Sequence, residues 1–226
     1  MLNPLFRALQ QMDDPVFVGV LARSVAWSVM AFGAALWAAF WAVQHLVGQP
    51  GWLGWAAGIA GGVGAALLTM WLFVPAAVLI ATLYIDRVAA AVDRRFYPMI
   101  PAPHGGAALS VQVWDGVALG AQVLAWQVVA LLLALALPGV GLVLGWAVTG
   151  WAIGRGLFVA VAMRRMPRHQ ALAVYAERRW AVLALGLLLA LAGTVPLLNL
   201  LVPVLGVAAL THVLNGVWQG IGRDVA

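Results

Sequence analysis

The chain has 226 residues, of which 65% are hydrophobic and only 8% charged. Its 12 basic side chains are all arginine, set against 7 acids for a net charge of +5, and cysteine is absent. Ordinary globular chains carry about 25% charged residues, so this composition marks an integral membrane protein and excludes disulfides, thiolate catalysis and cysteine-based metal sites. The apolar residues come in long runs, whereas a transmembrane barrel would show alternating strands of about 10 residues; the expected fold is all-α. The arginines sit in short segments beside apolar runs, which is the pattern of membrane topology and lipid headgroup contact rather than of nucleic-acid binding.

In chain order, Asn3-Pro4 reads as a helix start, with Leu5, Phe6, Leu9 and Met12 on one side of a short interfacial helix. Asp13-Asp14-Pro15 ends it. Met1–Pro15 lacks the basic-then-apolar layout of a cleaved signal peptide, so the first spanning helix is expected to stay. That helix, Val16–Val47, is interrupted only by Arg23, Ser24 and Ser28, with His45 at its far end. It exceeds the roughly 20 residues needed to span, so tilt or an interfacial start is expected. Gly48-Gln49-Pro50-Gly51 is an uncharged turn. In the second run, Leu53–Ile85, Gly54, Gly58 and Gly62 form a stripe that lets another helix approach closely, and Pro75 should kink or split it.

Residues 86–97 read as an amphipathic helix leaving the membrane along its surface, with Val88, Val92 and Phe96 on one face and Asp86, Asp93 and Arg94 opposite. Asp86 can pair with Arg87 or cap this helix. Pro98, Pro101, Pro103 and Gly105-Gly106 make the linker between the two halves of one membrane domain, 1–97 and 107–226. Val117–Leu137 and Leu142–Ala162, 21 residues each, form a hairpin long enough to cross, joined by a turn at Pro138–Gly141. Gly141/Gly145 and Gly150/Gly154 read as packing surfaces. A basic segment follows, Arg164–His169 and Glu177–Trp180.

The stretch Thr194–Pro203 is apolar, uncharged and broken by Pro196 and Pro203. The runs flanking it, Ala181–Val195 and Pro203–Val217, have 15 residues each. At 1.5 Å per residue each is a rod of roughly 22 Å, short of the ~30 Å hydrocarbon core. A hairpin that dips into the bilayer without crossing it is expected, its freed backbone groups covered by protein or a wet cavity. The uncharged turns at 48–51, 138–141 and 195–203 face away from the arginine-bearing segments, so both termini are expected in the cytoplasm. Trp41, Trp52 and Trp55 gather near the outer turn and Trp114, Trp180 and Trp218 near the inner boundary.

Pro196-Leu-Leu-Asn-Leu-Leu-Val-Pro203 with Ala208-Ala209-Leu210-Thr211, the turn Leu137-Pro-Gly-Val-Gly141 and the helix around Asp86–Phe96 together resemble the CysZ sulfate-permease family, which is related to the etoposide-induced membrane proteins. The resemblance runs from about Pro4 to His212 in one order, with Asp14-Pro15 heading the first long helix. It implies a multi-pass bundle of full-length transmembrane helices plus partially penetrating hairpins, assembled from several copies in the cytoplasmic (inner) membrane. It also implies proton-linked or channel-like uptake of sulfate. Two positions depart from the family pattern. Where sulfate-binding members carry an arginine pair after the helix-opening proline, this chain has Val16-Phe17-Val18-Gly19, with Arg23 a turn further on. Leu83-Tyr84 replaces the family's Pro-Phe.

The candidate anion-binding or pore residues are Arg23, Arg155, Asn199, Thr211 and His212. If its segment spans, Arg155 lies near the midplane, where an ionised group is costly and by default functional; the alternative is snorkelling to headgroups. Arg23 faces the same choice. Asn199, at the hairpin tip, can offer its amide to an anion or satisfy backbone groups freed by the prolines. Thr211, His212 and Asn215 share a face that can line a polar path. No second ligand accompanies His212 at metal-binding spacing, and no nucleotide loop, catalytic triad or carboxylate pair is present, so neither metal, cofactor nor enzyme activity is expected. The reading is a permease or channel-like protein for a small inorganic anion, sulfate first. Its rival is a non-transporting membrane scaffold that organises lipids or a partner complex.

Overall fold

The computed structural model describes residues 3–11, 13–46, 84–101, 103–195, 198 and 201–224. Among these the regular secondary structure is all α-helical, with no strand. The helices are α1 (Asn3–Gln10), α2 (Pro15–Leu46), α3 (described over 84–96), α4 (Leu109–Ala136), α5 (Pro138–Met163), α6 (Arg168–Ala192) and α7 (Val202–Asp224). The chain divides into two compact units, Met1–Val18 with Ile85–Ala226, and Gly19–Tyr84. The turn at 48–51, the stripe Gly54/Gly58/Gly62, Pro75 and Trp52 and Trp55 lie outside the described residues. In the second unit α2 is continuous to Leu46.

Prolines set the helix starts. Asp14 accepts a hydrogen bond from the Val16 N–H at 2.9 Å, which makes it the N-cap of α2 with Pro15 in the first turn, where a missing N–H costs nothing. The expected turn at Pro138–Gly141 contracts to Leu137 alone. Leu137 donates its N–H to Leu133 O at 2.7 Å to close α4, and accepts from Gly141 N–H at 3.0 Å to open α5. Pro138 fits the first turn of α5, and Gly141 is required because a Cβ there would collide with the backbone of Ala134. The two helices therefore diverge from a single residue, and α4 begins at Leu109, eight residues before the expected Val117.

The last pair is also longer than its apolar runs. α6 takes in Arg168–Trp180, reaching 25 residues, and α7 runs 23 residues from Val202. Pro203 does not break α7; it lies in the first turn, whose N–H groups lack intrahelical acceptors in any case. The added length is polar, and the apolar part of α7 remains Val202–Val217. α4 and Gly139–Met163 of α5 are long and apolar enough to cross a membrane.

In the first unit α5 is the central helix, packing against α4, α6 and α7, while α1 packs on α7. Its side toward α6 is made of small residues. A Cβ on Gly154 would lie 2.6 Å from Val182 O, one on Gly150 would lie 2.6 Å from the Leu187 side chain, and one on Gly186 would strike the α5 backbone at Gly150 and Gly154. Without a hydrophobic drive between helices in lipid, this backbone approach supplies the dispersion contact that holds α5 to α6. The expectation for Gly150 and Gly154 is met. α4 instead turns most of its surface outward, with only Asp115 and Ala130 buried, as a lipid-facing helix does.

Gly154→Leu or Gly186→Leu should lower stability in detergent by about 1–3 kcal/mol or more through forced separation of α5 and α6. Gly120→Leu, where no atom lies within 4 Å, should leave the thermal midpoint unchanged. A second check uses pH. Arg95 donates a hydrogen bond to Asp13 at 2.9 Å and thereby holds the Asp13 carboxyl below its ordinary range. A depressed acid stabilises above its unfolded pKa, so the difference in midpoint between wild type and Asp13→Asn should be constant near neutrality and vanish as the pH falls below the usual aspartate range.

Candidate functional site

The first unit gathers its charges at one end, where α4 and α6 begin and α5 ends. Asp115, six residues into α4, is 3% exposed and accepts from two arginines. Arg168, at the start of α6, donates from Nε to Oδ1 at 2.7 Å, and its Nη2 also lies 2.7 Å from that oxygen. Arg155 of α5 donates from Nη1 to Oδ2 and from Nη2 to Oδ1, each at 3.3 Å. Two guanidiniums share one carboxylate, which leaves one positive charge over. The shorter contacts lie in the range of strong charge-assisted bonds and the longer ones lie outside it, so Arg168 is firmly held and Arg155 loosely.

This placement changes the sequence reading of Arg155. The residue is not an isolated cation at the centre of a span. Gly154 touches the Val182 backbone, two residues from Trp180, so Arg155 shares a level with the charged part of α6 and reaches toward its start. Asp115, its partner, was the missed residue. A lone acid 22 residues before Leu137 and a lone arginine 18 residues after it are the signal that finds it: across an antiparallel hairpin they lie about one helical turn apart, within reach of an arginine side chain.

A second cluster forms around Asp93 of α3. Arg165 donates from Nη2 to Asp93 Oδ2 at 2.7 Å and from Nη1 to Pro101 O at 2.7 Å. Asn215 of α7 donates from Nδ2 to Asp93 Oδ1 at 2.8 Å. Arg164 donates from Nε to Asp86 Oδ1 at 2.7 Å, and its Nη1 is 3.6 Å from Asp93 Oδ2. Asp93 thus lies between α3, α7 and the end of α5, not on a solvent-facing side of α3, and Asp86 serves Arg164. Val88 and Val92 fill the buried face of α3 as the pattern requires. The linker completes this end: Ala107 N–H donates to Met163 O at 2.8 Å, and Gly106 lies so close to the Arg164 carbonyl that a Cβ would sit 2.5 Å from its oxygen.

The other expected residues have different partners. Arg23 is exposed on α2, in the second unit. Asn199 lies outside the described residues. Thr211, buried, donates its hydroxyl to Val207 O one turn back at 2.7 Å and so satisfies itself within α7. His212, also buried, is hydrogen-bonded through Nδ1 to the Tyr97 hydroxyl at 2.9 Å, with the Phe96 ring edge-on at a centroid distance of 4.9 Å. Burial pushes the Tyr97 phenol above its ordinary value, and a hydrogen bond from Arg7 of α1 opposes that shift. His212 and Asn215 therefore tie α7 to α3 and the residue that follows it, Thr211 stays within α7, and Arg155 belongs to the Asp115 cluster.

Deeper in the α4–α5 hairpin, Gln127 Nε2 donates to Thr149 Oγ1 at 3.0 Å and to Gly145 O at 3.2 Å, and Thr149 donates to Gly145 O at 2.9 Å. This polar clasp, unread from sequence, fixes the register that aligns Asp115 with Arg155. Among the described residues no group of three His, Asp or Glu side chains can hold a metal ion.

Removing one partner of a buried ion pair leaves an uncompensated charge, which costs about 3–5 kcal/mol. Asp93→Ala should approach that loss in thermal stability. The loss should fall well below additivity when Arg165→Ala is combined with it, because the two residues share one interaction.

No curated protein and no solved structure matches the chain. The family described as Sulfate transporter CysZ/Etoposide-induced protein 2.4 matches residues 4–203. That match takes in α1, both arginine–aspartate clusters and the break before α7, and the chain belongs to this family of membrane proteins.

Proposed function

We propose that the protein conducts a small inorganic anion, sulfate first, across the cytoplasmic membrane, with the Asp115–Arg155–Arg168 cluster as its anion-binding site at the cytoplasmic end. The observation that carries this reading is the two-to-one ratio of guanidinium to buried carboxylate. At an effective dielectric of 20 each guanidinium–carboxylate attraction is of order 4 kcal/mol, and desolvation costs several kcal/mol per ion, so the net hold on the second guanidinium is small. Arg155, in the 3.3 Å contacts, can exchange Asp115 for an arriving dianion without leaving a buried charge unpaired.

The chemistry suits a tetrahedral oxyanion. Guanidinium forks match paired oxygens on sulfate and are weakly hydrated, so they replace water on the anion at modest cost. Asp115 acts as a built-in competitor. It keeps the site from trapping the anion, and conduction requires binding favourable enough to enter yet weak enough to leave. Two further candidate anion ligands are the amide of Asn199, in the Pro196–Pro203 stretch, and, in the second unit and apart from this cluster, the Arg23 cation. Thr211 and His212 support the α7 side of the path.

The arginine-rich end belongs in the cytoplasm by the positive-inside rule, with both termini on that side. The apolar outward surface of α4 contacts lipid and other copies in a homo-oligomer.

Flux of labelled sulfate into liposomes holding the full chain tests this. Arg155→Ala should reduce flux about tenfold or more, the loss of a bond worth roughly 1.5–3 kcal/mol. Asp115→Asn should slow release and lower the concentration at which flux saturates. Wild-type flux equal to that of empty liposomes would refute transport and leave the scaffold reading in its place.

A further inference from the structure

A groove of about 300 Å³ opens between α5 and α6, lined by Trp151, Tyr175, Arg179, Trp180 and Leu183. We propose that it binds the phosphodiester headgroup of an anionic phospholipid, with Arg179 as the phosphate ligand and the aromatic rings as the bed for the glycerol and upper acyl chains. The site is separate from the Asp115 cluster and independent of whether sulfate crosses.

The level of the groove comes from helix register. Gly154 meets the Val182 backbone, so Trp180 and Arg179 lie within a turn of Arg155 on the facing helix. On one side of that level lie Asp115, Arg155, Arg168 and the Asp93 cluster. On the other, α6 runs from Ala181 to Ala192 without a charged residue and α5 from Pro138 to Gly154 likewise. The 17 residues of that α5 segment make roughly 25 Å of uncharged helix. The groove therefore sits where the charged layer meets the apolar one, which is the depth of lipid phosphates in a bilayer.

The lining has the matching chemistry. Trp180 is 66% exposed, a large cost in water and a gain at a membrane interface, where indole rings are enriched. The Arg179 guanidinium lies over the Trp180 ring at 5.3 Å and makes no ion pair among the described residues. Stacking fixes its plane while leaving its N–H groups for an oxyanion. Arg178 beside it adds a second exposed cation, against the single acid Glu177. The local excess of positive charge selects an anionic lipid over a zwitterionic one.

Native mass spectrometry of the full chain in detergent, titrated with dioctanoyl phosphatidylglycerol or dioctanoyl phosphatidylcholine, tests the assignment. The wild type should prefer the anionic lipid. Arg179→Ala should weaken that lipid roughly fivefold, the contribution of one arginine at a membrane surface. Arg179→Lys should retain most of the affinity, and Leu183→Trp should weaken both lipids by filling the groove with charge unchanged. Equal affinity for the two lipids, or wild-type affinity in Arg179→Ala with an unchanged thermal midpoint, would overturn the proposal. Displacement of phosphatidylglycerol from the wild type by inorganic sulfate would overturn it too, by marking the groove as a free-anion site.

Discussion

An arginine in a low-dielectric bundle must find a counter-charge, and much of the tertiary structure of the first unit follows from that need. Asp115 and Asp93, two of only 7 acids in the chain, hold four arginines between them. Each carboxylate lies where three segments meet: α4, α5 and the start of α6 for Asp115, and α3, α7 and the end of α5 for Asp93. The ion pairs are not cheap sources of stability, since desolvation cancels much of their attraction. Their value lies in position. A buried carboxylate accepts arginines from only a few directions, so the helices that carry those arginines meet in one arrangement.

Packing acts along the rest of the bundle by a different rule. Between α5 and α6 the contact is backbone to backbone, through Gly150, Gly154 and Gly186. Between α4 and α5 it is a hydrogen-bonded clasp at Gln127 and Thr149. Both devices work in lipid, where apolar side chains gain nothing by leaving one hydrocarbon surface for another. Together they set the relative heights of α4, α5 and α6, and that alignment brings Arg155 within side-chain reach of Asp115 and level with the aromatic groove of α6.

The proposed permeation site and the proposed lipid groove differ in one respect. At Asp115 half of the positive charge is offset, which suits an anion in transit. At Arg179 it is stacked on a ring and offset by no acid among the described residues, which suits a resident ligand. The same residue type thus stands in two different electrostatic settings, set by the presence or absence of a neighbouring carboxylate.

Much of this was legible in the chain itself. Composition excludes a soluble domain, proline placement gives the starts of α2, α5 and α7, and glycine spacing identifies the face of α5 that meets α6. The motifs around Asp14-Pro15, Leu137–Gly141 and Pro196–Pro203 carry the family. These features are local: a proline lacks its N–H, and a glycine its Cβ, wherever the chain goes afterwards. What remained hidden were pairings across sequence distance. Asp115 with Arg155 and Arg168, Asp93 with Arg165 and Asn215, Tyr97 with His212, and Gln127 with Thr149 depend on helix register, and one residue's change in the turn at Leu137 would realign two of them. The sequence determined which charges had to be neutralised; only the tertiary structure decided by which partner, because electrostatic attraction acts through space and its range is set by how closely the backbones approach.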